Sequence, residues 1–323
     1  DKIIVATGSR PIVPDAWQDY RDRIITTDEF FELEVLPRSI AVVGLGVVGL
    51  EIGQSLHRLG CEVVGIDVKE VIGGLSDPEV AKAAIDILGQ EFPLWLGRGA
   101  EISEGNDGRL RVTAGENSVE VDRVFASIGR RPNIDKLGLE TIGAPVDERG
   151  FPVYNPNTMQ LGDLPVFLAG DVTGDRMILH EAGDEGRIAG YNACRDKVTA
   201  FRRKTPLLIN FSDPNICAVG ARFDELDPDT TAIGEIKFAP VGRALIMGKN
   251  RGLLRLYADK ATGRLLGAAM VAPHAEHLGH LLTWCIEQNL SIQQMLRMPF
   301  YHPVIEEALQ PVLRDLVDQS GLG

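Results

Sequence analysis

Ile40-Ala41-Val42-Val43-Gly44-Leu45-Gly46-Val47-Val48-Gly49-Leu50-Glu51 is the stretch on which the reading of this chain turns. A short apolar run enters a glycine turn, and Leu50 to Leu59 continues as an amphipathic helix closed by Gly60. Glu62-Val63-Val64-Gly65-Ile66-Asp67 then reads as a second strand. That is the start of a βαβ unit, and a parallel sheet follows from it. Gly44, Gly46 and Gly49 fit GxGxxG. The first glycine allows a tight turn, the second lets a pyrophosphate approach the backbone, and the third lets helix pack on strand. Taken alone, the hexapeptide equally suits a plain turn between core elements. The strand before it, the helix after it and Asp67, 18 residues beyond Gly49, favour a dinucleotide site with Asp67 on the ribose. A carboxylate there accepts from a free 2′-hydroxyl and repels a 2′-phosphate. No arginine follows Asp67 closely, although Lys69 is near, so NAD is expected over NADP.

Outward from this unit the pattern is mixed. Residues 12–39 are irregular, with Pro14 and Pro37 as punctuation and Thr26-Thr27-Asp28 as a helix cap. A helix is predicted near 77–90, short strands at 109–113 and 118–121, and a buried run over Val124 to Ile128 ending at Gly129. Residues 133–165 read as connection, Val166 to Ala169 as an apolar strand ending at Gly170-Asp171, and 178–196 as a helix. After Arg202-Arg203-Lys204 come short strands at 207–211, 216–219, 232–239, 252–257 and 264–271. Helices near 274–288 and 304–318 close an α+β unit.

The 323 residues allow two or three ordinary domains, and the composition is that of a globular protein. The formal net charge of −13 disfavours nucleic acid as a partner, yet a local nest of backbone N–H groups can still hold a pyrophosphate. No apolar run is long enough to suggest a membrane span. Cys61, Cys194, Cys217 and Cys285 are scattered, which points to a reducing, cytoplasmic setting and to buried small hydrophobes. Asp1 to Gly8 reads as a buried strand running into a glycine turn with nothing before it, the pattern of a chain cut inside a domain.

With these residues in hand the chain resembles the pyridine nucleotide-disulfide oxidoreductases of the dihydrolipoamide dehydrogenase type. Ala6-Thr7-Gly8-Ser9-Arg10-Pro11 is similar to the family's crossing from flavin to NAD domain, and Gly44 to Glu51 to its NAD loop. Ala126 to Asn133 resembles the return strand, whose glycine, here Gly129, lies by the nicotinamide. Leu168-Ala169-Gly170-Asp171 resembles the second flavin motif, with the aspartate on the ribityl chain, and Met177-Ile178-Leu179-His180-Glu181-Ala182 the helix start beside the flavin ring. Asn210 to Gly220 looks like the opening of the interface domain. His302-Pro303-Val304-Ile305-Glu306-Glu307 looks like the closing motif, with Val304 where the family usually has threonine.

The resemblance implies an α/β fold in which a Rossmann-type NAD domain (37–132) is inserted in a partial FAD domain (1–36 and 133–200), followed by an α+β interface domain (201–323). It implies NAD on Gly44, Gly46, Val47, Val48, Gly49, Glu51, Asp67 and Gly129, and FAD on Thr7, Gly8, Ser9, Gly170, Asp171, Met177, Leu179 and His180. The family's first GxGxxG and its redox CxxxxC are not in this sequence. Disulfide chemistry and firm FAD retention are therefore expected of an intact parent, and the fragment is expected to be inactive. A dithiol must lose protons before it attacks a disulfide, and a histidine suits that task. The resemblance makes His302 that base and Glu307 its orienter, serving the disulfide of a partner subunit, so a homodimer through the C-terminal domain follows. By local sequence alone, His302 equally suits a helix cap. Glu51 has two readings, beside the nicotinamide or as an ordinary first-turn helix glutamate.

His274, His277 and His280 share helical spacing, but zinc sites usually add a cysteine or carboxylate. No metal is expected, and the helix is assigned to the dimer interface. The leading expectation for function is oxidation of a dithiol such as a dihydrolipoyl group by NAD⁺. A glutathione- or mercuric-reductase-like enzyme, a transhydrogenase-like flavoenzyme and a non-catalytic NAD-binding dimerisation module remain as alternatives.

Overall fold

The computed structural model describes residues 1–148 and 150–321. They form two compact units, one of Asp1–Pro14 with Gly129–Lys204, the other of Asp15–Ile128 with the chain from Thr205 onward.

In the first unit Ile3–Val5 pairs in parallel with Val166–Leu168, and Ser9–Pro11 pairs antiparallel with Arg130–Pro132. The helix Leu179–Ala193 packs Ile188 and Ala189 against Phe167 and Met159. In the opening strand Ile3 is 57% and Ile4 45% exposed. Its apolar run is real, but its ladder has a single partner strand, so only Val5 reaches the small core around Leu161, Val166 and Leu168.

The second unit holds a parallel sheet in the order Ile24–Ile25, Arg123–Ala126, Ser39–Val43, Glu62–Asp67, Leu94–Leu96. Ser39–Val43 lies in its middle and is wholly buried, as an uninterrupted apolar run should be. Ile24–Ile25 joins this sheet although it falls inside 1–36, because both side chains are buried beside Arg123–Ala126. A dipeptide carries no period from which that pairing could be read. The helix Val47–Arg58 buries Leu50 and Leu56 on the sheet, each contributing about 1.5–3 kcal/mol. A three-stranded antiparallel sheet of Glu101–Glu104, Leu110–Ala114 and Asn117–Val121 follows, its first strand too polar to stand out in the sequence.

From Thr205 the same unit continues as a five-stranded antiparallel sheet in the order Leu207–Asn210, Asn215–Gly220, Leu265–Ala272, Leu253–Asp259, Thr231–Lys237. Ala275–Glu287 and Leu309–Ser320 bury Leu278, Leu282, Val312 and Leu316 on it, and the latter helix is entered through a 3₁₀ turn, Ile305–Ala308. One apolar cluster joins both sheets, with Ile72 and Val80 meeting Ile216, Tyr257 and Val271.

Asp77 sits in that join. Its carboxylate caps the helix Pro78–Leu88 by accepting from Glu79 N and Val80 N, and it also accepts from Arg255 Nη1 at 2.8 Å and Tyr257 Oη at 2.7 Å. Burial, with Asp77 alongside, pushes the Tyr257 hydroxyl far above its ordinary range, so it stays a donor. Asp77→Asn is expected to destabilise the protein by about 2 kcal/mol in urea unfolding, since a buried charged acceptor is weakened while its partners stay. A loss below about 0.5 kcal/mol, the size of an ordinary surface change, would show that the cluster is not a joint.

No helix among the described residues is long and apolar enough to cross a membrane. Cys61 and Cys217 are buried and Cys285 half-buried, but Cys194 is exposed at the end of its helix, contrary to the expectation of a core residue.

Candidate functional site

The glycine loop is built by close approach. Gly44 has φ +94°, and a Cβ there would lie 2.4 Å from the carbonyl oxygen of Ser127. A Cβ on Gly49 would lie 1.8 Å from the Gly44 carbonyl oxygen. Ser127 completes the joint, its hydroxyl 2.6 Å from the Gly44 oxygen and 3.0 Å from that of Val43. Gly46 is different: it caps the helix Val47–Arg58, its φ is −67°, no side chain caps the helix, and nothing lies within 4 Å of a Cβ. Uncapped N–H groups at the positive end of a helix dipole, with open space above them, suit an anion. Val47 is half-buried and Val48 exposed beside this opening.

Asp67 ends the neighbouring strand, and its carboxylate accepts from Leu45 N at 2.6 Å and Lys69 N at 2.8 Å. It therefore holds the glycine loop as well as lying beside it. Two oxygens with about four lone-pair sites can still accept from a ribose hydroxyl. Glu51 accepts from Phe211 N at 2.7 Å. One turn on, Gln54 is bound at both ends of its amide to Asp213, and Arg58 reaches Glu91 and Asp213. The helix Val47–Arg58 is thus tied along one side to residues 210–213, and Asn210 Nδ2 adds a bond to Val47 O at 3.2 Å.

In the first unit Thr7, Gly8 and Ser9 are stitched to the return segment. Thr7 Oγ1 donates to Asn133 O at 2.8 Å, and Asn133 N donates to Gly8 O at 2.9 Å. Ser9 Oγ donates to Asp171 Oδ2 at 2.7 Å and accepts from Arg130 Nε at 2.7 Å. Gly129 has φ +121°, and its carbonyl accepts from Ile12 N at 3.0 Å. Gly170 N donates to Glu185 Oε2 at 2.8 Å, and Glu185 is fully buried with Arg203 on its other oxygen. Burial pushes the Glu185 carboxyl up. Met177 is half-buried, while Leu179 (89% exposed) and His180 stand open at the uncapped start of the helix Leu179–Ala193. Ser127, Arg130 and the Glu185–Arg203 pair were not singled out by sequence reasoning; only the position of Ser127 and Arg130 beside Gly129 hinted at them.

His302 and Glu307 do meet. His302 Nδ1 lies 2.7 Å from Glu307 Oε1, and Glu307 Oε2 accepts from Val304 N at 3.0 Å. The histidine side chain is 78% exposed. Its hydrogen bond holds the Glu307 carboxyl below the ordinary range. With Nδ1 held by a carboxylate, Nε2 is the nitrogen left to exchange a proton with a substrate.

Residues 1–186 match the pyridine nucleotide-disulphide oxidoreductase family, and residues 208–313 match that family's dimerisation domain. The chain belongs to this family. Among relatives of the oxidoreductase, the dihydrolipoyl dehydrogenase of Chlamydia muridarum is 30% identical over 94% of this chain and 66% of its own length. That of Thermus scotoductus is 31% identical over 98% and 70%. The chain thus spans about two thirds of the length of the curated relatives it matches. In fold it is similar to LpdA from Mycobacterium tuberculosis, with a TM-score of 0.85 at 24% identity over 98% of this chain and 70% of that one. The flavoprotein disulfide reductase RclA of Escherichia coli, in its Cu(II) complex, gives 0.86 at 22% identity over 97% and 72%.

Proposed function

We propose that the whole protein is a flavin-dependent dihydrolipoyl dehydrogenase that oxidises a dithiol such as a dihydrolipoyl group with NAD⁺. The His302–Glu307 hydrogen bond carries this reading: an exposed imidazole oriented by a charged carboxylate can take a thiol proton and keep the charge it gains. The dihydrolipoyl dehydrogenases among the relatives support the same substrate class. FAD, when bound, passes electrons between the thiol couple and the nicotinamide. Ser9 and Asp171 would hold its ribityl chain together with Thr7, Gly8 and Gly170, and Met177, Leu179 and His180 would border its ring. The open N-terminus above Gly46, Val47, Val48 and Gly49 would take the NAD pyrophosphate, with Asp67 on the ribose and Glu51 toward the nicotinamide. The redox cysteine pair that the reaction needs would be supplied outside this chain, whose four cysteines are all free.

In domain terms, 37–132 would bind NAD together with the Ile24–Ile25 strand that joins its sheet, residues 1–14 with 133–200 would contribute to the FAD domain, and 201–323 would pair two copies as a homodimer. The match to a dimerisation domain supports that pairing. The free cysteines favour a cytoplasmic setting.

Coenzyme choice is tested by Asp67→Arg in the whole protein. The variant loses the acceptor for Leu45 N and Lys69 N and gains a phosphate partner. The ratio of kcat/KM for NAD⁺ over NADP⁺ is expected to fall by at least about tenfold, or about 1.4 kcal/mol. An unchanged ratio would remove Asp67 from the ribose.

A further inference from the structure

Outside the coenzyme and dithiol sites, the start of the helix Ala275–Glu287 gathers His274, Glu276 and His277. One donor atom from each lies within 4.8 Å of the others. His274 Nδ1 and His277 Nε2 are each 3.6 Å from the same oxygen, Glu276 Oε1, and the two rings stack with centroids 5.7 Å apart. The two 3.6 Å separations are longer than hydrogen bonds. They lie near the edge of a coordination tetrahedron, because arms of about 2.0–2.1 Å at tetrahedral angles set donor atoms about 3.4 Å apart.

A further observation points the same way. Glu276 Oε1 lies beside both rings, while Oε2 is buried without a hydrogen-bond partner, so the charge of the carboxylate is left to be met from the Oε1 side. His274 has φ +54°, a left-handed conformation, and it makes no side-chain cap to the helix it precedes. That turn is what brings its ring back over Glu276. Glu276 stands between His274 and His277 in the sequence, and the fold groups these three while it turns away His280, whose Nδ1 lies 2.7 Å from the Glu276 backbone oxygen.

We propose that His274, Glu276 and His277 form a binding site for a divalent transition-metal ion of the Zn²⁺ class, with water completing the coordination. Two imidazoles and one carboxylate are the donor set such ions prefer, and the site stands apart from the chemistry of His302. The ion would pin the left-handed turn and the first turn of the helix.

The test is calorimetric titration of the EDTA-stripped protein with Zn²⁺, checked by thermal melting. One ion per chain is expected, with a melting temperature raised by several degrees. His274→Gly, which keeps the left-handed backbone, Glu276→Gln and His277→Ala should each weaken binding by at least about tenfold, no less than the loss of an outer-shell partner. His280→Ala, on the same helix outside the cluster, should bind as the parent does. If Glu276→Gln lowers the metal-free melting temperature, His277→Ala decides, because its side chain is 68% exposed and its removal leaves the buried core untouched. Parental affinity in His277→Ala would overturn the site. So would equal weakening in His280→Ala, or one ion per two chains, which would place the ion between copies.

Discussion

Gly49→Ala is expected to destroy the glycine loop, whereas Gly46→Ala is expected to leave the fold standing and to weaken NADH binding about a hundredfold. The two glycines lie three residues apart in one turn, yet a methyl group meets opposite surroundings at each. On Gly49 it would stand 1.8 Å from the Gly44 carbonyl oxygen and 2.5 Å from Ser127 Oγ. The carbonyl is backbone, held between a buried strand and the Ser127 hydroxyl, so it cannot rotate away. Overpacking typically costs about 1–3 kcal/mol, and a clash with fixed backbone lies at or above the top of that range. Gly46→Ala meets nothing within 4 Å, and its φ of −67° suits any residue, so its melting temperature should stay near the parent's. Its methyl would occupy the space above the helix N-terminus, and NADH affinity should fall about a hundredfold, or about 2.7 kcal/mol. Melting curves with NADH fluorescence titration separate the two. Parental NADH affinity in Gly46→Ala would remove the pyrophosphate from this helix.

The contrast also marks what a sequence can carry. The glycines, the strand before them and Asp67 are local signals: turn geometry, periodicity and a spacing of 18 residues bring them together whatever the rest of the chain does. His302 and Glu307 are five apart and meet across one turn, so their pairing was also within reach. Ser127 is another matter, since it bonds Gly44 across 83 residues of chain. The Ser9–Asp171 and Glu185–Arg203 contacts likewise depend on tertiary packing, and a buried polar group leaves no periodic trace in sequence. Asp67 shows the limit within one motif. Its spacing suggested a ligand contact, and the fold adds two backbone bonds that make it part of the loop itself.

His302→Gln in the whole protein is expected to slow dihydrolipoamide oxidation by about 10²–10⁴ while leaving NADH–dye activity unchanged. The split follows from where the residue acts. Transfer between NADH and a dye needs the coenzyme loop and the flavin but no thiol proton, whereas dithiol oxidation needs a group to receive that proton. Glutamine keeps the length and polarity of the side chain and cannot take a proton, so packing is preserved and basicity is lost. Glu307→Gln should fall between parent and His302→Gln, because an amide can still accept from Nδ1 but cannot balance a charged ring. The lowered Glu307 carboxyl fixes the pH window of this pair. A depressed acid contributes above its unfolded value of about 4.3 and loses that contribution as pH falls through its lowered folded value. The carboxylate therefore stays charged throughout a neutral assay, and a decline in rate between pH 6 and 8 cannot be assigned to it. Equal loss of dithiol and dye activities in His302→Gln would mean that the imidazole supports the fold or the coenzyme site instead of the thiol. The C-terminal pair would then lose its place in the chemistry, while the NAD loop assignment, which rests on Gly46 and Asp67, would be untouched.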